Sequence, residues 1–447
     1  KIVIPGTVEE IGANAFSNNT TLEEVTIEYG VKKVGDYAFS GCSSLKSIEF
    51  PDSVIYIGYA SLLRCVLLEN IKLSSKITSI NYYTMAYTNI SEIDIPEGIT
   101  SIDGYAFEGC SRLEKVKIPA SLNSFNIGVF WDVKSLKNII VDEKNKSFKF
   151  QNGLLLSKDG KIVYFGLLGL TEVSIPEGVT EIKGNSFAGS ETTTISLPNS
   201  LENITGGEFN EMKKLKEIKI KSDNENYKVD NGNLYTKSGE DLIRYAAGGD
   251  TIIVPEGVKT IRTSAIQNDN VKELKLPSTL ENLNDMSLNS LTGLQIVNIP
   301  ENVKAFRSSA LPKDSKVVVD KNNPNIKSVD DSMILSKDGK KLYAVSKAVK
   351  DFNIPTTVET IEIQCFYMHN NISEITVPEG VREIKSQAFG YSKLKTINLP
   401  STLKSMEPNT FVNCAQLTKI VLNKSKDGLS GSPWGCPIGD RAVKWTK

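Results

Sequence analysis

Histidine is all but missing: His369 is the only one in 447 residues. Acid–base chemistry built on histidine is therefore confined to one place, and a histidine-rich metal site has no ligands to draw on. Excess charge of one sign is also missing. Lys and Arg number 52 against 53 Asp and Glu, a formal net charge of -1, so the clustered basic surface that a nucleic-acid partner needs is not expected. No apolar run approaches the roughly 20 residues of a membrane span, which argues against membrane insertion. The six cysteines, Cys42, Cys65, Cys110, Cys365, Cys414 and Cys436, lack CxxC spacing and do not form a disulfide framework for a chain of this size. There is no phosphate-binding glycine loop. No signal peptide precedes Lys1-Ile2-Val3-Ile4-Pro5, which already lies inside a repeat. A mature or truncated piece, with any export signal and anchor removed, is the expectation.

Repetition is what the chain has in quantity. An apolar residue followed by proline recurs from Ile4-Pro5 through Ile95-Pro96, Ile118-Pro119, Ile175-Pro176 and Val254-Pro255 to Leu399-Pro400, and with cryptic copies in the gaps the period is about 22–23 residues. Four apolar columns run through the copies. A strand of form L-x-x-I-x-I (Leu45 to Phe50, Leu113 to Ile118) has the period-2 ending of a half-buried strand. After the proline comes V-x-x-I, as in Val54/Ile57 and Val381/Ile384, then a turn. An aromatic column follows: Phe16, Phe39, Phe107, Phe130, Phe187, Phe209, Phe366, Phe389 and Phe411. Proline removes a ladder donor and sets φ, so it ends the strand at a corner. One such coil cannot bury its own apolar faces, whereas stacked coils can, with the phenylalanines above one another as a spine.

The pattern predicts a leucine-rich-repeat solenoid as a single domain over 1–447. It is mostly β, with a parallel sheet on the concave side and short helical or irregular turns on the convex side. Three stretches break the period, at 142–172, 221–251 and 320–351. Each carries Asp-Gly or Ser-Gly between apolar segments (Asp159-Gly160, Ser238-Gly239, Asp338-Gly339), a hairpin-turn signal. Three β-hairpins projecting from the same edge are expected, and residues 423–447 form a closing segment.

The run Gly-Asp-Tyr-Ala-Phe-Ser-Gly-Cys-Ser-Ser-Leu-Lys-Ser-Ile-Glu-Phe-Pro over 35–51, with Gly104-Tyr-Ala-Phe107-Glu-Gly-Cys110 and Gln387-Ala-Phe389, resembles the BspA-like leucine-rich repeats of bacterial cell-surface antigens. The coils around Ser61–Cys65 and Tyr83–Met85 depart from the Ala-Phe signature but stay apolar at the core column. The tail from Ser430 through Trp434 and Cys436 to Trp445 resembles the closing segment of such arrays in Gram-positive surface proteins, where wall-associated modules often follow. The resemblance implies a secreted or cell-surface location and adhesion to host extracellular-matrix proteins or to other cells, with no catalytic activity. No cofactor is expected, and the chain is expected to be a monomer.

The residues that carry chemistry have structural readings. Cys42, Cys65, Cys110 and Cys414 share one slot, three residues after the aromatic column, and are expected to be small buried thiols at a coil corner. Cys42 and Cys65 sit in adjacent coils, about 5 Å apart, which leaves a disulfide geometrically open. His369 falls on the same slot, and Cys365 falls on the buried alanine column. The carboxylate pairs Asp330-Asp331 and Asp223/Glu225 lie in insert loops and read as solvated turn residues rather than a glycosidase pair. The loops at Asp142 and Asp320 lack the calcium-loop spacing. Asn89-Ile-Ser91 and Asn203-Ile-Thr205 are glycosylation sequons, relevant only in a eukaryotic secretory pathway. No row of exposed Trp or Tyr marks a sugar platform; Tyr82-Tyr83, Tyr164-Phe165 and Trp131 are expected to be buried.

The outward residues of the repeat strands form the candidate binding face. They are Thr26, Glu49, Lys72, Asp94, Lys117, Lys219, Lys275 and Asn298, in a row that also includes Ile140, Ser196, Val318, Thr376, Asn398 and Val421. From Glu49 to Lys117 the signs alternate, so neighbouring strands can pair across the ladder. Ile140 and Val318 are apolar where an insert follows, which suggests that the insert folds back over its own strand. The leading expectation is a surface adhesin that binds host or neighbouring-cell protein. A structural spacer that carries another domain and a glycan-binding accessory module of an enzyme are the alternatives.

Overall fold

Apolar residues at every second position of each repeat strand bury one side of it and leave the other in solvent. In Lys115–Ile118, Val116 and Ile118 are buried while Lys117 is exposed; in Glu92–Asp94 only Ile93 is buried. Stacked in parallel, such strands form the sheets of a β-solenoid. The computed structural model describes residues 1–446 except 205, 206, 222, 247, 426–428, 430 and 438. Thr205 of the second sequon and Ser430 at the head of the closing motif thus lie outside the described residues. The chain divides into two compact units, Lys1–Asn226 and Tyr227–Lys447.

In the first unit the repeat strands pair in register at one coil's offset: Ile2 faces Val25, and Lys115 faces both Glu92 and Asn138. A second set of parallel ladders is built from the two-residue V-x-x-I strands, such as Lys33–Val34 between Glu10–Ile11 and Tyr56–Ile57. The corner between the two sets is a turn in which the proline carbonyl accepts the N–H three residues on (Pro51 from Val54 at 2.9 Å, Pro119 from Leu122 at 3.4 Å). Proline supplies an acceptor there and is asked for no donor. Behind the corner runs the spine. Phe16 stacks on Phe39 at 5.2 Å and Phe107 on Phe130 at 5.6 Å. Fully buried Leu62 and Met85 fill the two intervening coils that lack phenylalanine.

The insert at 142–172 is not a single projecting hairpin, and here the sequence expectation is corrected. It is a three-stranded antiparallel meander, Phe148–Gln151, Leu154–Ser157 and Ile162–Gly166. Its first turn is Asn152-Gly153, with both residues at positive φ, the geometry a two-residue hairpin loop demands. The second is the Asp159-Gly160 turn seen in the sequence. The last strand then pairs in parallel with Glu181–Ile182, so it takes the place of a V-x-x-I strand and the insert is woven into the stack. Phe165 joins the spine, 5.1 Å from Phe130.

The second unit repeats these rules. Thr251–Ile253 pairs with Glu273–Lys275, Ile296–Ile299 with Lys316–Val319, and Glu374–Thr376 with Thr396–Leu399. Phe366, Phe389 and Phe411 form its spine, with rings 5.0 and 5.6 Å apart. Its two inserts are meanders of the same kind, ending in Asp241–Arg244 and Lys341–Val345. Val443–Trp445 of the closing segment adds a parallel strand beyond Lys419–Leu422, and Trp434 is buried, with its carbonyl accepting the Phe411 N–H. The helical turns are of the 3-10 kind, as at Ser308–Ala310 and Gly439–Ala442.

Candidate functional site

The outer face of the repeat-strand sheet in the first unit carries an open groove of about 880 Å³. Thr26, Glu49, Lys72, Asp94 and Lys117 line it together with Ser47, Asn70, Ser91, Glu92 and Lys115. The structure therefore brings five of the eight predicted face residues together, all of them exposed. Lys219 lies further along the same unit on Glu217–Ile220 and pairs with Glu217 at 3.2 Å. Lys275, paired with Glu273 at 3.2 Å, and Asn298 are exposed on strands of the second unit.

Charges in the groove are matched from one coil to the next. Lys72 pairs with Glu49, Lys115 with Glu92 at 2.8 Å, and Lys117 with Asp94 at 2.6 Å. Hydrogen bonding to its carboxylate holds each of Lys72 and Lys117 above the ordinary ammonium range, and the Lys115 ammonium draws Glu92 below the carboxylate range. All are solvent-exposed, so water and salt screen each pair and its net contribution to stability is small. Uncharged hydroxyls and amides fill the spaces between them.

The covering of Ile140 expected from the sequence does not occur: its side is 42% exposed. The third insert does lie against its own strand. Val317 N–H donates to the Asp331 carbonyl at 2.9 Å and Val319 N–H to Ser328 Oγ at 3.1 Å, leaving Val318 half-buried.

All six cysteines are buried, and Cys42, Cys65, Cys110 and Cys414 are free thiols in one shared slot. Their slot has a purpose that sequence reading misses: the thiol donates to a backbone carbonyl of the preceding coil. Cys42 reaches Phe16, Cys65 reaches Phe39, Cys110 reaches Met85 and Cys414 reaches Phe389, at 2.9–3.2 Å. Burial pushes the Cys65 thiol up to about 12, far from the thiolate a nucleophile or metal ligand needs. His369 fills the same slot with Nε2 3.0 Å from the Ser346 carbonyl, and burial lowers its pKa to about 4. Asp330, Asp331, Asp223 and Glu225 are exposed turn residues, and Asp330 and Asp331 hold the positive-φ turn of the third insert. Among the described residues no group of three or more His, Cys, Asp or Glu side chains converges as a metal site would require.

Two further devices hold the coils together. A buried asparagine opens each insert. Asn145 donates to the Pro119 and Leu122 carbonyls and accepts from the Ser147 and Phe148 amides, and Asn323 repeats the arrangement on Pro300 and Val303. At the corners, Pro-Glu-Gly in one coil meets Pro-x-Ser or Pro-x-Thr in the next. Glu379 accepts from the Ser401 amide while Thr402 Oγ1 accepts from Gly380 N–H, and Glu256 and Thr279 do the same with Ser278 and Gly257.

The expectation that Tyr82-Tyr83 and Trp131 are buried, with no aromatic row, is overturned. Tyr37, Tyr59, Tyr83, Tyr105 and Trp131 form a half-exposed ladder along consecutive coils of the first unit, with ring centroids 5.2, 5.7, 5.2 and 6.0 Å apart. Tyr82, at 43% exposure, lies beside it against Gly104. A spacing of 22–26 residues between these aromatics was present in the sequence, but they occupy three different offsets within the repeat, so no single column shows them.

A model of the BspA-type leucine-rich repeat region matches the chain in overlapping stretches, 1–113, 39–152, 160–234, 245–342 and 336–431. Solved structures similar to the chain include a leucine-rich repeat protein of Eubacterium ventriosum (16% identity, 65% of this chain and 82% of that one, TM-score 0.49). The pneumococcal vaccine antigen PcpA is another (18% identity, 100% and 79%, TM-score 0.35). A third is a leucine-rich cell-surface protein of Faecalibacterium prausnitzii (22% identity, 95% and 88%, TM-score 0.29). No curated protein sequence matches the chain.

Proposed function

Since the chain belongs to the BspA-type leucine-rich-repeat family, we propose that it is a binding module displayed outside the cell, engaging a protein partner through the repeat-strand face of its first unit. The open groove of about 880 Å³ across the strands from Val25 to Lys117 carries this reading. Extended sheets of stacked repeats are the surfaces through which solenoids typically bind, and this one mixes alternating charge with hydroxyls and amides that can accept and donate. A partner whose charges follow the same alternation exchanges one set of exposed ion pairs for another. The cost is small because each internal pair is weak, and the alternation itself supplies register and specificity. Among the described residues no helix is long and apolar enough to cross a membrane.

The test is a biolayer-interferometry screen of the chain against extracellular-matrix proteins at low and high salt. Saturable binding to one protein, weakened by Glu49→Lys, Asp94→Lys or Lys117→Glu, supports the reading and locates the face. Binding that ignores all three substitutions removes it. One observation favours a structural spacer instead: Lys72, Lys115 and Lys117 each already have a carboxylate partner in the neighbouring coil, so the face is electrostatically complete by itself. A spacer binds nothing on the panel and tolerates every charge reversal.

A further inference from the structure

We propose that the ladder of Tyr37, Tyr59, Tyr83, Tyr105 and Trp131 is a second binding site, independent of the sheet face, and that it takes a linear, uncharged polysaccharide.

The geometry is one-dimensional. One ring per coil, over successive coils and at centroid steps of 5.2–6.0 Å, makes an apolar track whose repeat is about the length of one hexopyranose residue. A ligand that uses the whole track must itself be a polymer with a short, regular repeat. Tyr83 and Tyr105 are nearly parallel, 7° apart, and the other rings are tilted by 60–72° to their neighbours. The rings are half-exposed and change tilt from coil to coil, so the track is a stepped one rather than a continuous flat plate. That suits the apolar C–H faces of sugar rings, which alternate in orientation along a β-linked chain.

The positions chosen for the tyrosines go against local preference. Tyr37, Tyr83 and Tyr105 stand two residues before the core column with φ of 56°, 55° and 61°. The same position is Asn14, Asn185 and Asn409 in other coils, with φ of 59°, 60° and 62°. Asparagine tolerates the left-handed region and bulky residues do so less readily. Gln364, Gln387 and Met286 also hold this slot, at φ of 58°, 55° and 58°, so what sets the first unit apart is the bulk of half-exposed rings at a strained position, and such strain gathers where a surface has a use.

The polar surroundings select the class of ligand. Asp36 lies beside Tyr59, and Glu108 lies among Tyr83, Tyr87 and Tyr105, accepting the Tyr87 hydroxyl at 2.7 Å. Asn126 and Asp103 form a hydrogen-bonded pair at 2.9 Å in the same coils. Carboxylates and amides flanking aromatic faces accept and donate to sugar hydroxyls while the rings take the C–H surface. The same carboxylates disfavour phosphate, sulfate and uronate groups, while Arg64, 5.8 Å from the Tyr87 ring, partly offsets them, and an uncharged sugar chain is the ligand that this mixture favours.

The experiment uses a natural control: Tyr37→Asn, Tyr83→Asn and Tyr105→Asn together place the residue that other coils carry in the same conformation, so the fold is retained, as checked by an unchanged or raised Tm. The full chain and this triple variant are titrated calorimetrically with linear hexaoses of β-1,4-glucose, β-1,3-glucose, β-1,4-mannose and β-1,4-N-acetylglucosamine, and with a proline decapeptide. Saturable binding of a hexaose, weakened roughly tenfold or more in the triple variant and untouched by Glu49→Lys, is the expected result. Binding of no hexaose, or hexaose binding that the triple variant retains, overturns the proposal. Binding of the proline peptide alone, lost in the variant, also overturns it and reassigns the ladder to extended peptides. Because Glu49→Lys reads the sheet face separately, failure of one site leaves the other standing.

Discussion

The phenylalanine spine and the charged row of the sheet come from the same repeat, each giving one residue per coil, yet they do opposite work. Phe107 and Phe130 are fully enclosed and touch each other, so every ring removed leaves a void between coils. Lys117 and Asp94 also touch, at 2.6 Å, but in solvent, where either can be replaced by water. A repeat therefore places much of its stability in the enclosed phenylalanine column and leaves the outward side of its strand free to vary. Substitutions along both rows should separate the two roles.

The largest effect is expected inside. Phe107→Ala should cost about 3–5 kcal/mol, read as a lowered denaturation midpoint. Acidification comes next. His369 is buried and its pKa falls from 6.5 to about 4 on folding. Between those two values the unfolded chain binds a proton that the folded chain does not, so the stability of the second unit is intact above about pH 6.5. It falls as the pH drops toward 4, by up to about 3 kcal/mol. Replacing His369 with Asn should flatten that slope in a series of denaturant titrations; an unchanged slope would show that other groups set it. Asn145→Ala should cost about 1–3 kcal/mol, because it strands the Pro119 and Leu122 carbonyls and two amides in the interior. Lys117→Ala should leave the denaturation midpoint almost unchanged, and the more so at high salt. The thiols offer a check without mutation: Cys65 and Cys110 should resist alkylation in the folded protein and react once it is denatured.

Columns of the same residue type were legible in the sequence, and that carried the spine, the proline corners, the repeat strands and the outward row. Devices that join unlike residues in different coils were not. The Glu379–Ser401 corner lock needs Pro-Glu-Gly in one coil and Pro-Ser-Thr in the next, which a search for one recurring pattern averages away. Nothing in the sequence sets Asn145 and Asn323 apart from the polar residues around them in the loops at Asp142 and Asp320, because sequence does not show which polar side chain turns inward to meet carbonyls. The inserts carried two turn signals each, and Asn152-Gly153 was as strong as Asp159-Gly160; reading only the second gave a hairpin where the chain builds a meander. The tyrosine ladder was hidden by its shifting offset, since Tyr59 and Trp131 stand one and three residues away from the place Tyr83 and Tyr105 share.

Binding through the sheet face is tested most directly by exchanging the charges of one pair, Glu49→Lys together with Lys72→Glu. The exchange preserves the ion pair and hence the stability, and inverts only the pattern that a partner meets. If the face binds, the double variant should keep its denaturation midpoint and lose affinity for the partner found in the interferometry screen. If it keeps both midpoint and affinity, the groove is not where that partner binds.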